Sequence, residues 1–191
     1  MKTPPPELAD RLWEVGDQIL APGREVRIDD LSELTGTPRA TLYYYFGGKD
    51  DVIAFLLAQK LERGTKAIAE AAALEGSGAQ RLEAALRALL RVYAEHEALC
   101  TRMLGWMAIE GAAGQVMAQA QDAVIGPLRD ILIAGQADGS LAVFDPTEGA
   151  LVAMGSVTIV AMMHTVGGTL DADAVADRVV PQLLEGFAAR G

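Results

Sequence analysis

Between Arg39 and Lys49 the chain reads RATLYYYFGGK. A guanidinium, a threonine hydroxyl, three phenols and an ammonium crowd into one short stretch, and all of them can donate hydrogen bonds to anionic oxygens. An arginine can grip the O6 and N7 edge of guanine with two bonds, and Ala40 and the methyl of Thr41 can meet thymine methyls. Tyrosine hydroxyls and a lysine suit phosphates. The chain is only 5% aromatic, yet Tyr43, Tyr44, Tyr45 and Phe46 are consecutive. Successive residues of a helix are about 100° apart, so four aromatics in a row must point around most of the cylinder. Some therefore face a core and the others need an outside partner.

Other groupings offer less. His96 and Cys100 lie four apart on one helix face, but two ligands do not make a metal site. A packed thiol and a helix-end histidine are expected, and no metal or cofactor is assigned. Met103, Trp106, Met107 and Glu110 share a helix. Together with Thr158, Met162 and His164 they are candidates to line a cavity for a small, largely apolar molecule, methionine being adaptable to varied apolar shapes. Catalysis finds no support: there is no nucleophile–histidine motif, phosphate-binding glycine loop or metal cluster. The expectation is a protein that is not an enzyme.

The elements that must position these residues read as helices throughout. Leu8, Leu12, Val15 and Ile19 recur at helical spacing after a proline arm, Pro4 to Pro6, until Pro22-Gly23 stops the run. Leu31 and Leu34 mark a short second helix ended by Gly36. Thr37-Pro38 offers an N-cap and a first helical proline for a third short helix carrying the aromatics. Gly47-Gly48 closes it, and Asp50 and Asp51 suit the start of a long fourth helix. Two short helices joined by a tight glycine turn describe a helix-turn-helix, whose second helix presents Arg39, Ala40 and Thr41 to a major groove. Lys49 and the amides opening the fourth helix would add a phosphate clamp. Further helices are expected after Gly76-Ser77-Gly78 and over about 97–110, 115–137, 147–167 and 172–189, with Gly126-Pro127 kinking or splitting the third of these segments.

The 191 residues are 51% hydrophobic, enough for a sizeable core. They suit one large domain or a small domain fused to a larger one. A net charge of -10 argues against a general polyanion binder, and residues 1–60 hold seven Lys/Arg against ten Asp/Glu. A locally basic site remains compatible with that balance, because steering depends on where charges lie. The single Cys100 excludes an intramolecular disulfide, and a reducing cytoplasm fits. "MKTPPPELADRLW" lacks the apolar stretch of a signal peptide. Gly149 to Leu170 is long and apolar enough to span a bilayer, but acidic residues flank it without Lys or Arg anchors. A helix buried on nearly all sides is the expectation, with no membrane partner. Gly149, Ala153, Ser156 and Val160 lie along one side of it and would permit close approach of a second copy. The last helix, with Val175, Val179, Leu183 and Phe187, would complete a four-helix homodimer interface.

The stretch "VRIDDLSELTGTPRATLYYYFGGKDDVIAFLL" strongly resembles the tetracycline-repressor family of regulators. That family carries a Thr-Leu-Tyr-x-x-Phe-x-x-Lys run after a helix-turn-helix, filled here by Thr41, Leu42, Tyr43, Phe46 and Lys49. The resemblance implies DNA contacts from Arg39, Thr41, Tyr43, Tyr44, Tyr45 and Lys49, with Leu42 and Phe46 in the core. Arg27 stands where relatives usually cap the first motif helix with Ser or Thr, and is a candidate phosphate contact. Pro38 stands where they usually cap the recognition helix with Ser, and Thr37 can take over that cap. The resemblance implies an all-α protein with an N-terminal helix-turn-helix head, residues 1–48, and a larger helical ligand-binding and dimerisation body, residues 49–191. The function implied is a ligand-responsive regulator, cytoplasmic and nucleoid-associated, that binds a palindromic double-stranded DNA operator as a homodimer. A small apolar effector would release it. The alternative is an all-helical small-molecule-binding protein without DNA function.

Overall fold

The structure is a computed structural model that describes residues 2–20, 27–95 and 112–188, with side chains at 2–19, 27–95 and 123–188. Among the described residues it is all-α. The helices are α1 (Pro6–Glu14), α2 (Gly16–Leu20), α3 (Ile28–Thr35), α4 (Arg39–Tyr45), α5 (Lys49–Ala72), α6 (Gly78–Glu95), α7 (Ala112–Ala137), α8 (Pro146–Gly167) and α9 (Ala172–Phe187). The run expected to be one helix up to Pro22 is interrupted at Val15, whose backbone leaves helical geometry. Pro127 does not split its segment, which stays a single helix.

Two apolar cores form. The head core gathers Leu8 and Leu12 of α1, Leu31 of α3, Leu42 and Phe46 around α4, and Val52 to Leu57 of α5. Burying each such side chain contributes roughly 1.5–3 kcal/mol relative to exposure. The body core gathers Ile68 and Ala71 of α5 with the leucine face of α6, then α7, α8 and α9. Helix α5 therefore belongs to both cores. Its first turns are part of the head and its last turns part of the body. Lys60 sits between these two stretches, only 2% exposed. Its Nζ donates to the carbonyl oxygen of Tyr93 in α6, 3.1 Å away. The ammonium is thus satisfied inside the protein by a backbone carbonyl of α6, which a buried charge requires.

The opposite end of α6 is tied to the loop after α7. Gly78 crosses Gly135 so closely that a methyl group on Gly78 would collide with the Gly135 backbone. Asp138 accepts from the Gly78 amide at 2.7 Å, and the Ser140 hydroxyl oxygen accepts from the Ala79 amide at 3.1 Å. Hydrogen bonds from Ser140 and Gly78 hold the Asp138 carboxyl below its usual range, with Arg81 adding to the effect. The loop then caps α8 through Asp145, which accepts from Thr147 and Glu148.

Helix α8 corrects one expectation. It is long and apolar enough to cross a membrane by length and composition, but it is not buried on nearly all sides. Gly149, Ala150, Ala153, Val157 and Ala161 face the body core, where Gly149 lies against Phe144 and Leu132. The small-residue side thus packs within the chain. Small side chains let α8 come close to its own neighbours, and the larger apolar ones are left outside. Val152, Ile159, Met163 and Val166 are exposed. Spaced by seven, four and three residues, they form one stripe along the helix. On α9, Val175 and Val180 are buried, while Val179, Leu183 and Phe187 are partly buried against the same core.

Candidate functional site

The recognition unit is built by α3, the turn and α4. Gly36 ends α3 in the left-handed region, φ 62°, which costs glycine nothing and most residues about 1–2 kcal/mol. Two of the turn's carbonyls are occupied. The Ser32 hydroxyl donates to Thr37 O at 2.7 Å, and Arg11 of α1 donates to Thr35 O at 3.3 Å. Thr37 is buried and turns back, its hydroxyl 3.5 Å from Thr35 O. It therefore does not cap α4. Pro38 occupies the N-cap without a side-chain bond, and α4 begins at Arg39 rather than one residue earlier.

Helix α4 divides its aromatics as the sequence required. Leu42 and Phe46 are fully buried, and Phe46 meets Phe55 edge-on with centroids 5.7 Å apart. Tyr45 is half-buried against the head core. Tyr43 and Tyr44 stand out at 58% and 60% exposure, high values for such large apolar rings. Arg39 and Ala40 are exposed on the preceding turn, and Thr41 is partly so. The guanidinium of Arg39 reaches back to α3, with Nη1 3.0 Å from Oδ1 of Asp29.

Arg27 is exposed at the N-cap of α3, and its amide donates to Asp30 Oδ2 at 2.9 Å. The arginine side chain has no acceptor with which to return that bond, and the residue is exposed to solvent. Lys49 is exposed at the first position of α5. Asp51 takes the Gly47 amide at 2.8 Å, which ties the turn before α5 to the first turn of that helix. Sequence reasoning missed Lys2. Its amide donates to Tyr45 O at 3.3 Å, and its Nζ lies 3.6 Å from the centre of the Tyr44 ring. The stiff proline arm, with Pro4 buried, holds it there. That arm was the available signal.

The cavity candidates divide. Met103, Trp106, Met107 and Glu110 lie outside the described residues, as do His96 and Cys100. Thr158 is partly buried, and its hydroxyl is 2.8 Å from the Tyr93 hydroxyl. Met162 is buried on the same side of α8. His164 is exposed and points away from them, since two residues along a helix turn the side chain by about 200°. It does not join an interior lining. A separate groove of about 450 Å³ between α5 and α6 is open and charged, bordered by Glu62, Arg63, Lys66, Glu70 and Glu95. That lining does not suit an apolar guest. Arg63 itself bridges the two parts of the chain. Its guanidinium lies 4.3 Å from the ring centre of Trp13 in α1, and it pairs with Glu95 of α6.

The architecture and this exposed helix define an all-α helix-turn-helix protein. Residues 75–187 match the family described as tetracyclin repressor-like, C-terminal domain. The chain belongs to this tetracycline-repressor family of ligand-responsive transcriptional regulators. Solved structures share its fold. A TetR/AcrR-family regulator from Thermobifida fusca superposes with a TM-score of 0.75 at 21% identity, covering 95% of this chain and 96% of that one. FadR from Bacillus subtilis, in complex with stearoyl-CoA, gives 0.77 at 16% identity, covering 95% and 98%. The ketosteroid regulator KstR2 of Mycobacterium tuberculosis gives 0.73 at 16% identity, covering 95% of each chain. No curated protein matches the chain by sequence.

Proposed function

We propose that the chain binds a palindromic operator as a homodimer, through a head of residues 1–48 and a body of residues 49–191, and leaves it when a small, largely apolar effector enters the body. The head borrows the first turns of α5 for its core. The observation that carries the DNA reading is the split of α4. Leu42 and Phe46 anchor it, while Arg39, Ala40, Tyr43 and Tyr44 face solvent, after a turn whose Thr35 and Thr37 carbonyls are occupied. Arg39, Ala40 and Thr41 meet base edges. Tyr43, Tyr44, Lys49 and Arg27 meet phosphates, and Tyr45 steadies the helix from its half-buried position. The exposed stripe of α8 is the dimer surface in this reading, in place of the small-residue side that packs within the chain. The protein would act in the cytoplasm, on the nucleoid, and perform no catalysis.

The effector reading draws support from FadR, whose structure holds stearoyl-CoA, and from the buried Met162 beside the Tyr93–Thr158 hydroxyl pair. Helix α5 is the physical link, because it belongs to both cores. A tilt of α5 changes the separation of two heads that must sit about one DNA turn apart. By reciprocity, operator and effector weaken each other's binding by the same factor.

The test is selection of duplexes from a randomised library by the purified full chain, with affinity then measured across salt concentrations. A palindromic consensus, bound with log affinity falling linearly in log salt, is expected. Lys49→Ala should weaken all duplexes alike and lower the slope by about 1. Failure of the wild type to enrich any sequence would instead favour an effector-binding protein without DNA function.

A further inference from the structure

We infer that Asp29 is a positioning residue for base recognition: it holds the Arg39 guanidinium in one orientation and so sharpens the choice of base at one operator position. The inference rests on the DNA-reading proposal above. Arg39 opens α4 and Asp29 lies in the first turn of α3, so the pair spans the two helices of the recognition unit. Arg39 uses Nη1 for this contact, 3.0 Å from Asp29 Oδ1. A guanidinium carries five donors in a planar fork. With Nη1 engaged, the edge formed by Nε and Nη2 is still available, and that edge can donate in parallel to guanine O6 and N7. A lone arginine at 59% side-chain exposure would sample many rotamers, and ordering it would cost entropy on binding. The ion pair bears part of that cost in advance, because Asp29 stands on the first turn of the neighbouring helix α3.

A carboxylate in this position also has a cost. At 47% side-chain exposure it lies on the face that meets DNA in this reading, and its charge repels phosphates. A residue that merely repelled would weaken binding to every duplex alike. One that positions Arg39 weakens general binding while increasing discrimination at the base Arg39 reads. The two roles therefore move affinity and specificity in different directions.

The experiment compares full-length wild type with Asp29→Asn, Asp29→Glu, Arg39→Lys, Arg39→Ala and the Asp29→Asn/Arg39→Ala double variant on a randomised duplex library. Affinities are then measured on the consensus and its single-base changes. Arg39→Ala is expected to abolish the preference for guanine at one position of each half-site. Arg39→Lys keeps the charge but loses the fork, so it should lose that preference while retaining the salt slope. Asp29→Asn should reduce the same preference by about threefold, the scale of an exposed charged pair, while binding to mismatched duplexes is unchanged or tighter. Asp29→Glu should restore part of the preference, and the double variant should be no less selective than Arg39→Ala alone. Uniform tightening by Asp29→Asn with an unchanged consensus would overturn the inference, as would a loss at a position that Arg39→Ala does not affect. A wild type that enriches no duplex would overturn the DNA reading and this inference with it. A wild-type consensus that Arg39→Ala leaves intact would overturn this inference alone.

Discussion

Helices α4 and α8 both show large apolar side chains to solvent, yet they differ in what surrounds them. On α4 the exposed rings are tyrosines, and the Arg39 and Lys2 cations lie on the same helix or against it. On α8 the stripe of large exposed side chains, Val152, Ile159, Met163 and Val166, carries neither donor nor charge, and His164 is the polar side chain exposed beside it. The first surface suits a partner that is polar and anionic. The second suits only something as apolar as itself, and a second copy of the stripe, related by a two-fold axis, meets that need. In the proposed reading exposed apolar area marks both contact surfaces, and the polar groups around it distinguish the partners.

The largest expected effect breaks the α8 side of this contrast. Ile159→Asp places a charge in the stripe twice per dimer, and should weaken self-association by about 3 kcal/mol or more. Sedimentation should then show a folded monomer with little operator affinity. Val157→Glu is the control: Val157 is fully buried in the body core, so this change should unfold the body instead. An Ile159→Asp chain that still sediments with the wild type would remove α8 from the interface.

On α4 the inward and outward sides can be separated. Leu42→Ala empties a fully buried position and should cost the head roughly 3 kcal/mol, read by chemical denaturation. Tyr44→Phe removes one exposed hydroxyl. It should leave stability unchanged and weaken operator binding by about 1.5 kcal/mol if the hydroxyl meets a phosphate. A Tyr44→Phe variant that binds every duplex like wild type would make this ring a mere support for Lys2.

The smallest effect concerns the loop that fixes α6. The folded state lowers the Asp138 carboxyl below its usual range through Ser140 and the Gly78 amide. Its stabilising contribution is therefore fully present above the unfolded value, near about 3.9. It is lost as pH falls through the lower folded value. Asp138→Asn should flatten that part of the acid limb of a thermal-stability profile without changing operator affinity at neutral pH.

The contrast also explains what the sequence made legible. The recognition unit was readable because its logic is local. Tyr43 to Phe46 cannot share one face, and Gly36 must end a helix. The orientation of α8 was not readable, because a helix apolar on all sides has no periodicity to say which side the core takes. The side was decided by Gly149 fitting against Phe144 and Leu132. Thr37 looked like a cap by its type and position, but packing turned its side chain back toward α3. The start of α6 is held by Asp138, sixty residues away, and its Tyr93 carbonyl takes the Lys60 ammonium. Such contacts between distant residues leave no trace in local spacing. The head–body link through Arg63 and Trp13 was hidden for the same reason.

Because Arg11, Ser32 and Thr37 already occupy the Thr35 and Thr37 carbonyls of the turn before α4, the unit of α3, turn and α4 has little left to order when it meets a duplex. Calorimetry offers a direct consequence. Binding coupled to folding produces a heat-capacity change far beyond what the contact area alone accounts for. For this head the heat-capacity change of association should correspond to the area of the protein–DNA contact, and it should remain so when the flanking sequence of the duplex is varied. The recognition helix would then behave thermodynamically as a preformed tool, and the temperature dependence of operator affinity would report on the interface rather than on the stability of the head.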